Sequence, residues 1–317
     1  MSKRIILALS LVLLLIGCSQ KNETGKIKIL VSPKGLVHSF WVTVKAGADS
    51  AGKEFGAEII WKGPAQETDI AGQIAIIEDY INKDISAIVL AACDAQGLMP
   101  VIEKAHAKGI PIITIDSGVD SDLPISFIAT DNVAAAQKGA KKLAELIGEN
   151  GKVACIPFVP GAATSIMREQ GFVDEIKKYP NIELLPIRYS QSDVATGMAV
   201  TEDILTGHPD IKGIFAANEA GTIGAIQALK TKNKIGQVKV VGFDAAANEV
   251  QALEAGEIDA LIVQDPFKMG YEGVKAAMMT LKGEPVSKRI DTGVYVVTRE
   301  NLHQPEIKRL IKQKMSM

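Results

Sequence analysis

The sequence predicts an α/β fold made of two doubly wound parallel-sheet lobes. Short apolar runs that fit strands alternate with amphipathic stretches that fit helices, which is the pattern of a parallel sheet covered by helices on both faces. This alternation runs through two series of similar construction. The 317 residues also exceed what a single core ordinarily holds, so we expect two lobes with a cleft between them.

The first series begins at Lys26 and consists of short strands with helices between them. Gly56 and Gly109 come directly after two of the helical segments, where glycine commonly ends a helix. The predicted strands are 27–31, 58–61, 87–91, 110–115 and 125–129. The predicted helices are 40–55, 70–81, 98–108 and a long helix that ends at 147.

The second series repeats this construction. Its predicted strands are 152–157, 183–187, 213–216, 239–242 and 260–263, and its predicted helices are 164–178, 195–205, 221–229, 248–255 and 266–282. Two further strands, near 286–290 and 294–297, complete the pattern. Ligands of a doubly wound sheet bind beyond the carboxyl ends of its strands, and two such halves that face each other form a cleft.

The N-terminal segment differs from the rest of the chain. The basic pair Lys3-Arg4 precedes an apolar run from Ile5 to Ile16, which has the length of a signal-peptide core and is too short to span a bilayer. The run leads through glycine to Cys18 and resembles a bacterial lipobox, in which the cysteine is acylated and becomes the mature N-terminus. We predict a lipoprotein signal peptide over 1–17 and a flexible tether over 18–25.

This segment predicts an exported protein that is attached to the membrane through a lipid on Cys18, on the periplasmic or extracytoplasmic face. The alternative is an uncleaved membrane anchor, which the short apolar run disfavours. In both cases the bulk of the chain lies outside the cytoplasm.

Composition and motifs argue against several classes of function. The net charge is −2 and the chain has no block of basic residues, so we predict no nucleic-acid partner. Cys93 and Cys155 lie in apolar, strand-like runs and are interpreted as separate buried thiols. The sequence shows no metal-ligand spacing, nucleotide-binding loop or nucleophile motif. We therefore predict no metal, no cofactor and no enzymatic activity.

Polar or aromatic side chains follow several of the predicted strands, where they would face the cleft. Carboxylate, amide and guanidinium groups can bind neighbouring hydroxyls in pairs, and flat rings stack on the C–H faces of a sugar. The candidate ligand-binding residues are His38, Phe40, Trp41, Asp116, Arg168, Asn218, Asp244 and Gln264.

Each candidate also has a purely structural interpretation. Asp116, Asn218 and Asp244 could cap turns or helices. Phe40 and Trp41 could belong to a helix core, and His38 and Arg168 could be solvent-exposed, while Gln264 could serve only as a hinge residue. For Glu219 and Asp193 a structural and a ligand-binding role are equally compatible with the sequence.

Seven segments, in order along the chain, resemble the bacterial periplasmic sugar-binding proteins of the ribose-binding type. The resemblance extends from about Lys26 to Val297. The matching segments are 40–47 (FWVTVKAG), 109–116 (GIPIITID), 129–132 (ATDN), 168–172 (REQGF), 216–219 (AANE), 240–244 (VVGFD) and 264–266 (QDP).

The resemblance implies type I architecture, with two lobes joined by a three-segment hinge. It places 26–130 and 265–291 in an N-terminal lobe, and 131–264 and 292–317 in a C-terminal lobe. The hinge residues would be Thr130, Asp131, Asp265 and Thr292. Phe40 and Trp41 would lie against the ligand ring, with the polar candidates bonded to its hydroxyls.

The resemblance also implies a function. The chain would act as a monomer that captures a small sugar or polyol by closing its lobes, and it would deliver this ligand to the permease of an ABC importer. A ligand sensor that presents the closed form to a chemoreceptor or sensor kinase is the alternative. The effector domain of a transcription repressor is disfavoured, because a signal peptide occupies the place of the DNA-binding segment.

Three departures from the ribose-binding pattern bear on specificity. Ser117 stands in place of an arginine, Ser192 in place of an aromatic residue, and His38 in place of an asparagine. Together they remove a cation and open volume. A larger or differently substituted polyol, or another small polar solute, therefore fits this pattern as well as ribose does.

Overall fold

The computed structural model describes residues 26–315. The predicted signal peptide, the tether and Cys18 lie outside the described residues.

The strands are β1 (Lys28–Ser32), β2 (Glu58–Trp61), β3 (Ala87–Leu90), β4 (Ile112–Ile115), β5 (Ser126–Ala129), β6 (Gly151–Ile156), β7 (Ile182–Leu184), β8 (Gly213–Ala216), β9 (Lys239–Phe243), β10 (Ala260–Gln264), β11 (Arg289–Asp291) and β12 (Val294–Val297). The helices are α1 (Ser39–Phe55), α2 (Ile70–Ile81), α3 (Met99–Ala107), α4 (Asn132–Leu146), α5 (Ala163–Ile176), α6 (Val194–Gly207), α7 (Glu219–Thr231), α8 (Ala247–Ala255), α9 (Pro266–Leu281) and α10 (Pro305–Met315).

The strands form two six-stranded sheets of matching topology, one in each lobe. The first sheet has the order β11-β5-β4-β3-β1-β2, and the second has the order β12-β10-β9-β8-β6-β7. All pairings in the first sheet are parallel. In the second sheet β12 runs antiparallel to β10 at the edge, and the other pairings are parallel. The predicted fold of two parallel-sheet α/β lobes is confirmed.

Helix α1 is anchored so that its first turn lies at the cleft. It packs closely against α9, and the two helices approach through glycine on both sides. A Cβ atom on Gly47 would lie 2.0 Å from the Phe267 carbonyl oxygen, and one on Gly270 would lie 2.0 Å from the Val44 carbonyl oxygen. No other residue type allows this approach of the two backbones. The packing therefore fixes the helix whose N-terminus carries the predicted aromatic residues.

The chain passes between the two sheets at three places that lie side by side. The first follows β5, the second follows β10, and the third joins β11 to β12. Thr130 Oγ1 lies 3.3 Å from Thr292 Oγ1, which links the first and third passages. Asp131 caps α4 and Asp265 caps α9, each by accepting a hydrogen bond from a backbone N–H of the first turn. The predicted hinge residues thus occupy these passages.

The helix α10 was not predicted from the sequence. Its apolar side chains Ile307, Leu310 and Ile311 are buried in a hydrophobic core of the second lobe, and the helix also contacts α1. Among residues 26–315, no helix has the length and apolar character needed to cross a membrane. Cys93 and Cys155 are free and buried, as predicted.

Candidate functional site

A polar cavity lies between the lobes at the carboxyl ends of the strands. The space between its atoms is about 300 Å³, including the part that is open to solvent. The structure brings all eight predicted ligand-binding residues to this cavity, together with four others. The lining residues are Lys34, His38, Phe40, Trp41, Glu67, Asp116, Phe158, Arg168, Asn218, Glu219, Asp244 and Gln264. Their binding of a ligand stays a prediction.

Asp116 and Asp244 occupy equivalent places in the two lobes. Each directly follows the strand that stands third from the corresponding edge of its sheet, β4 in the first lobe and β9 in the second. Each has a left-handed backbone, with φ of 55° and 83°. Each also donates its backbone N–H to a neighbouring strand, to the Ile128 oxygen at 3.0 Å and the Ile262 oxygen at 2.9 Å. A left-handed conformation outside glycine costs on the order of 1–3 kcal/mol and is concentrated at functional sites.

Lys34 carries a buried ammonium group that bridges the two lobes. Its Nζ lies 3.0 Å from Asp116 Oδ2 in the first lobe and donates to Thr164 Oγ1 of the second lobe at 3.0 Å. The same atom lies 5.0 Å from the centre of the Phe158 ring, also in the second lobe. Burial by itself would lower the pKa of Lys34, but attraction to Asp116 and Glu67 outweighs it and raises that pKa. Lys34 is therefore a cation at neutral pH.

Glu67 is the centre of a second group of contacts between the lobes. Its carboxylate accepts hydrogen bonds from Trp41 Nε1 at 2.8 Å and from Ser192 Oγ of the second lobe at 2.9 Å. His38 Nε2 lies 3.3 Å from the same serine oxygen. Burial acts to raise the pKa of Glu67, but the charge of Lys34 and these hydrogen bonds together hold it below its usual value. The carboxylate is therefore ionised at neutral pH.

Arg168 is held entirely by groups of the second lobe. Its Nε donates to Asn132 Oδ1 at 2.8 Å, and its Nη1 donates to the Ala217 carbonyl oxygen at 2.7 Å. The guanidinium carbon lies 3.7 Å from the centre of the Phe243 ring, which places the cation over the aromatic face. Arg168 is 2% exposed, so the solvent-exposed alternative is wrong for this residue.

The other polar candidates of the second lobe form a connected set. Asn218 caps α7 by accepting a hydrogen bond from the Gly221 N–H at 2.9 Å, as the structural interpretation predicted. It also lines the cavity, where a ligand-binding role stays a prediction. Asp244 does not cap α8, the helix that follows it, whose N-cap residue is Ala246; its carboxylate instead reaches the first residue of α7. Its Oδ1 accepts from Gln264 Nε2 at 2.8 Å, and its Oδ2 accepts from the Glu219 backbone N–H at 3.2 Å.

Two buried oxygen atoms at the cavity lack a full set of donors. Gln264 Oε1 has no hydrogen-bond partner among the described residues, and Asp116 Oδ2 is paired only with the Lys34 ammonium, at 3.0 Å. A buried acceptor without a donor costs about 1–3 kcal/mol. Both atoms are acceptors, so a bound molecule would satisfy them by offering hydroxyl or N–H groups.

The sequence profile of the periplasmic binding protein domain matches residues 29–285, which is most of the chain. The chain belongs to the periplasmic binding protein family. This agrees with the resemblance seen in the sequence. The proteins of this family bind solutes and do not transform them, so the prediction that the chain is not an enzyme is confirmed.

Relatives of this periplasmic binding protein match nearly its whole length. The ribose import binding protein of Bacillus subtilis is 28% identical and covers 93% of this chain and 98% of its own. A carbohydrate transporter solute-binding protein from Agrobacterium radiobacter, solved with D-arabinose, is 36% identical with a TM-score of 0.88, over 91% of this chain and 99% of its own. An ABC transporter solute-binding protein from Agrobacterium vitis, solved with D-fucose, is 38% identical with a TM-score of 0.86, over 90% and 99%.

Sequence reasoning missed Lys34, Glu67 and Phe158 in this periplasmic binding protein. Lys34 follows β1, Glu67 follows β2 and Phe158 follows β6. The rule that ligands bind beyond the carboxyl ends of the strands therefore applies to these three residues as well. Lys34 stands between Pro33 and Gly35 immediately after β1, and a charged residue so close to a buried strand was the available signal. Glu67 lies in a polar loop, where the local sequence offers no such signal.

Proposed function

We propose that this protein is the solute-binding component of an ABC importer and that it holds a neutral monosaccharide, or a polyol of similar size, in the cavity between its lobes. The observation that carries the proposal is a polar cavity between the lobes that holds the Asp116 carboxylate and an unsatisfied acceptor at Gln264, flanked by aromatic side chains. Sugar hydroxyls donate as well as accept, so they suit this mixture of carboxylate, amide and guanidinium groups. The sugars named for the relatives support the same class of ligand.

The charges of the lining favour a neutral ligand over an acidic one. The cations Lys34 and Arg168 already have oxygen partners, and the lining contains more carboxylates than cations. A phosphate or uronate would bring a further negative charge into this buried space without a free counter-ion, which is costly.

We infer that the ligand enters when the lobes separate and that they close around it. The lobes touch on several sides of the cavity, for example through Ala95 N–H, which donates to the Gly161 oxygen at 3.0 Å. We propose that the hinge lies at the three passages around Thr130-Asp131, Gln264-Asp265 and Asp291–Gly293. The limits of the two lobes in this proposal are those predicted from the sequence. Only the closed form lets both lobes contact the ligand, so the ligand shifts the population toward it.

A thermal-shift panel of pentoses, hexoses and polyols, including D-ribose, D-arabinose and D-fucose, tests this function. At about 100 times Kd a true ligand adds about 2.7 kcal/mol to the stability and raises Tm. Small-angle scattering of the same samples should show a smaller radius of gyration with the ligand bound. Sugar phosphates and uronates are the matched controls and should leave Tm unchanged. A panel without any shift, or an equal shift by the acidic sugars, would contradict the proposal.

We further propose that the mature protein begins at Cys18 and is attached to the membrane by a lipid on that residue. The support is the short apolar run that ends in Leu15-Ile16-Gly17-Cys18. Mass spectrometry of the native protein should show cleavage before Cys18 and a diacyl or triacyl mass on it. Cys18→Ala should block processing, and Ser19→Ala should leave it intact. Native protein that retains residues 1–17 with an unmodified cysteine would refute this proposal.

A further inference from the structure

The N-terminus of α1 is capped by a carboxylate from the opposite lobe. The backbone N–H groups of Ser39 and Phe40 donate to Glu219 Oε1 at 3.1 Å and to Oε2 at 3.0 Å. His38, the residue at the N-cap position, forms no side-chain cap of its own. Glu219 is the first residue of α7 in the second lobe and is 7% exposed. The first two N–H groups of α1 are thus satisfied by a side chain that is distant in sequence.

This contact matches the electrostatics of a helix end. The first N–H groups of a helix lack partners within the helix, and its N-terminus attracts negative charge. The helix α1 has 17 residues, and its first turn includes Phe40 and Trp41, which line the cavity. A carboxylate that holds the first two N–H groups therefore also fixes the position of both aromatic side chains.

The same residue is connected to the candidate ligand-binding residues behind it. The Glu219 backbone N–H donates to Asp244 Oδ2 at 3.2 Å, and the preceding residue, Asn218, caps the same helix. A ligand that engages Asp244 and Asn218 would order the start of α7, and with it the carboxylate that reaches α1. Both oxygens of that carboxylate are occupied by the first lobe.

We propose that Glu219 is a positioning residue that stabilises the closed form by capping α1 across the cleft. The inference rests on the proposed function, because its effect is exerted through closure around a ligand. When the lobes separate the cap is lost, and the N–H groups of Ser39 and Phe40 become free to bind water. Glu219 thus contributes to affinity through the position of α1, Phe40 and Trp41.

Hydrogen exchange at the amides of Ser39 and Phe40, measured with and without the sugars of the panel, tests this role directly. Sugar should slow exchange of both amides in the wild-type protein and slow it much less in Glu219→Gln. The variant should bind sugar about 10-fold more weakly, because a charge-assisted cap is lost. Its Tm without sugar should remain that of the wild type, since the open form does not contain the cap.

Asp69→Asn is the matched control. Asp69 also caps a helix with its carboxylate, accepting from Gly72 N–H at 2.9 Å, but it does so within the first lobe and is exposed. This variant should leave both the sugar affinity and the exchange of Ser39 and Phe40 unchanged.

Two results would overturn the inference. One is an equal slowing of the two amides and an equal affinity in Glu219→Gln and wild type. The other is a loss of Tm in the variant that is as large without sugar as with it, which would mark an ordinary structural role. If no sugar binds the wild type, the proposed function fails separately. In that case the expectation that the ligand-free protein is open also fails, and the cap is tested in the ligand-free protein itself. Slower exchange of Ser39 and Phe40 in wild type than in Glu219→Gln would support the cap, and equal exchange would overturn it.

Discussion

Asp116→Ala should weaken sugar binding about 100-fold or more and leave the Tm of the ligand-free protein nearly unchanged. In the closed form Asp116 is the carboxylate beside the buried ammonium of Lys34, at 3.0 Å. Removing one partner of a buried ion pair costs about 3–5 kcal/mol, because the other charge is left without compensation. In the open form Lys34 can be hydrated, so the cost falls on closure and therefore on affinity.

A double-mutant cycle separates this ion pair from a direct loss of ligand contact. Lys34→Met and Asp116→Asn should each weaken binding, but the variant that carries both substitutions should lose less than the sum of the two single losses, since neither charge is then left alone. Isothermal calorimetry gives the affinities, and thermal unfolding without ligand gives the stabilities.

The control for Asp116→Ala is a carboxylate in an exposed ion pair of the same lobe. Glu78 Oε1 lies 2.8 Å from Lys104 Nζ, with side chains that are 45% and 44% exposed. Exposed pairs contribute about 0–1 kcal/mol, so Glu78→Ala should change neither affinity nor Tm appreciably. Unchanged affinity in Asp116→Ala, or strictly additive losses in the cycle, would contradict the assigned role of the pair.

The parts of the fold that depend on local sequence were predicted closely. The strands β2 and β8 have the predicted limits of 58–61 and 213–216. β8 is buried throughout and is a short apolar run, while β2 is a half-buried edge strand whose apolar residues follow Glu58. The helix α10 was missed for the opposite reason. Its polar composition gives a weak local signal, and its helical state depends on the core that buries Ile307 and Leu310.

The candidate site divides in a similar way. Asp116 and Asp244 were predicted because each follows a strand directly, and that position is set by the lobe in which each lies. The importance of Lys34 depends on Thr164 of the opposite lobe, and that of Glu67 depends on Ser192. These contacts form only across the cleft, so the position of Lys34 after β1 could mark it as a candidate, but no local pattern could indicate the contacts themselves. Glu219, for which two roles were open, makes its side-chain contacts with backbone that is distant in sequence.

Arg168→Ala should abolish measurable sugar binding and also destabilise the ligand-free protein, by about 2–4 kcal/mol. Arg168 has its partners within the second lobe, in Asn132, Ala217 and Phe243, so the substitution removes these contacts whether the lobes are open or closed. For Asp116 the cost arises only when closure shuts Lys34 off from water. The variant leaves two buried acceptors without their donor and uncovers the Phe243 ring. Denaturant unfolding measures the stability, and calorimetry measures the affinity.

Arg168→Lys distinguishes the shape of the guanidinium from its charge. A lysine keeps the positive charge but cannot bind both acceptors in the plane of a fork while stacking on Phe243. It should therefore recover little of the lost stability or affinity. Arg188→Ala, at an exposed arginine of the same lobe, is the control and should behave as wild type. Full ligand-free stability in Arg168→Ala would contradict this prediction, because the contacts within the lobe would then contribute nothing to the stability of the protein. If Arg168→Lys bound sugar as tightly as wild type, charge alone would explain its role there.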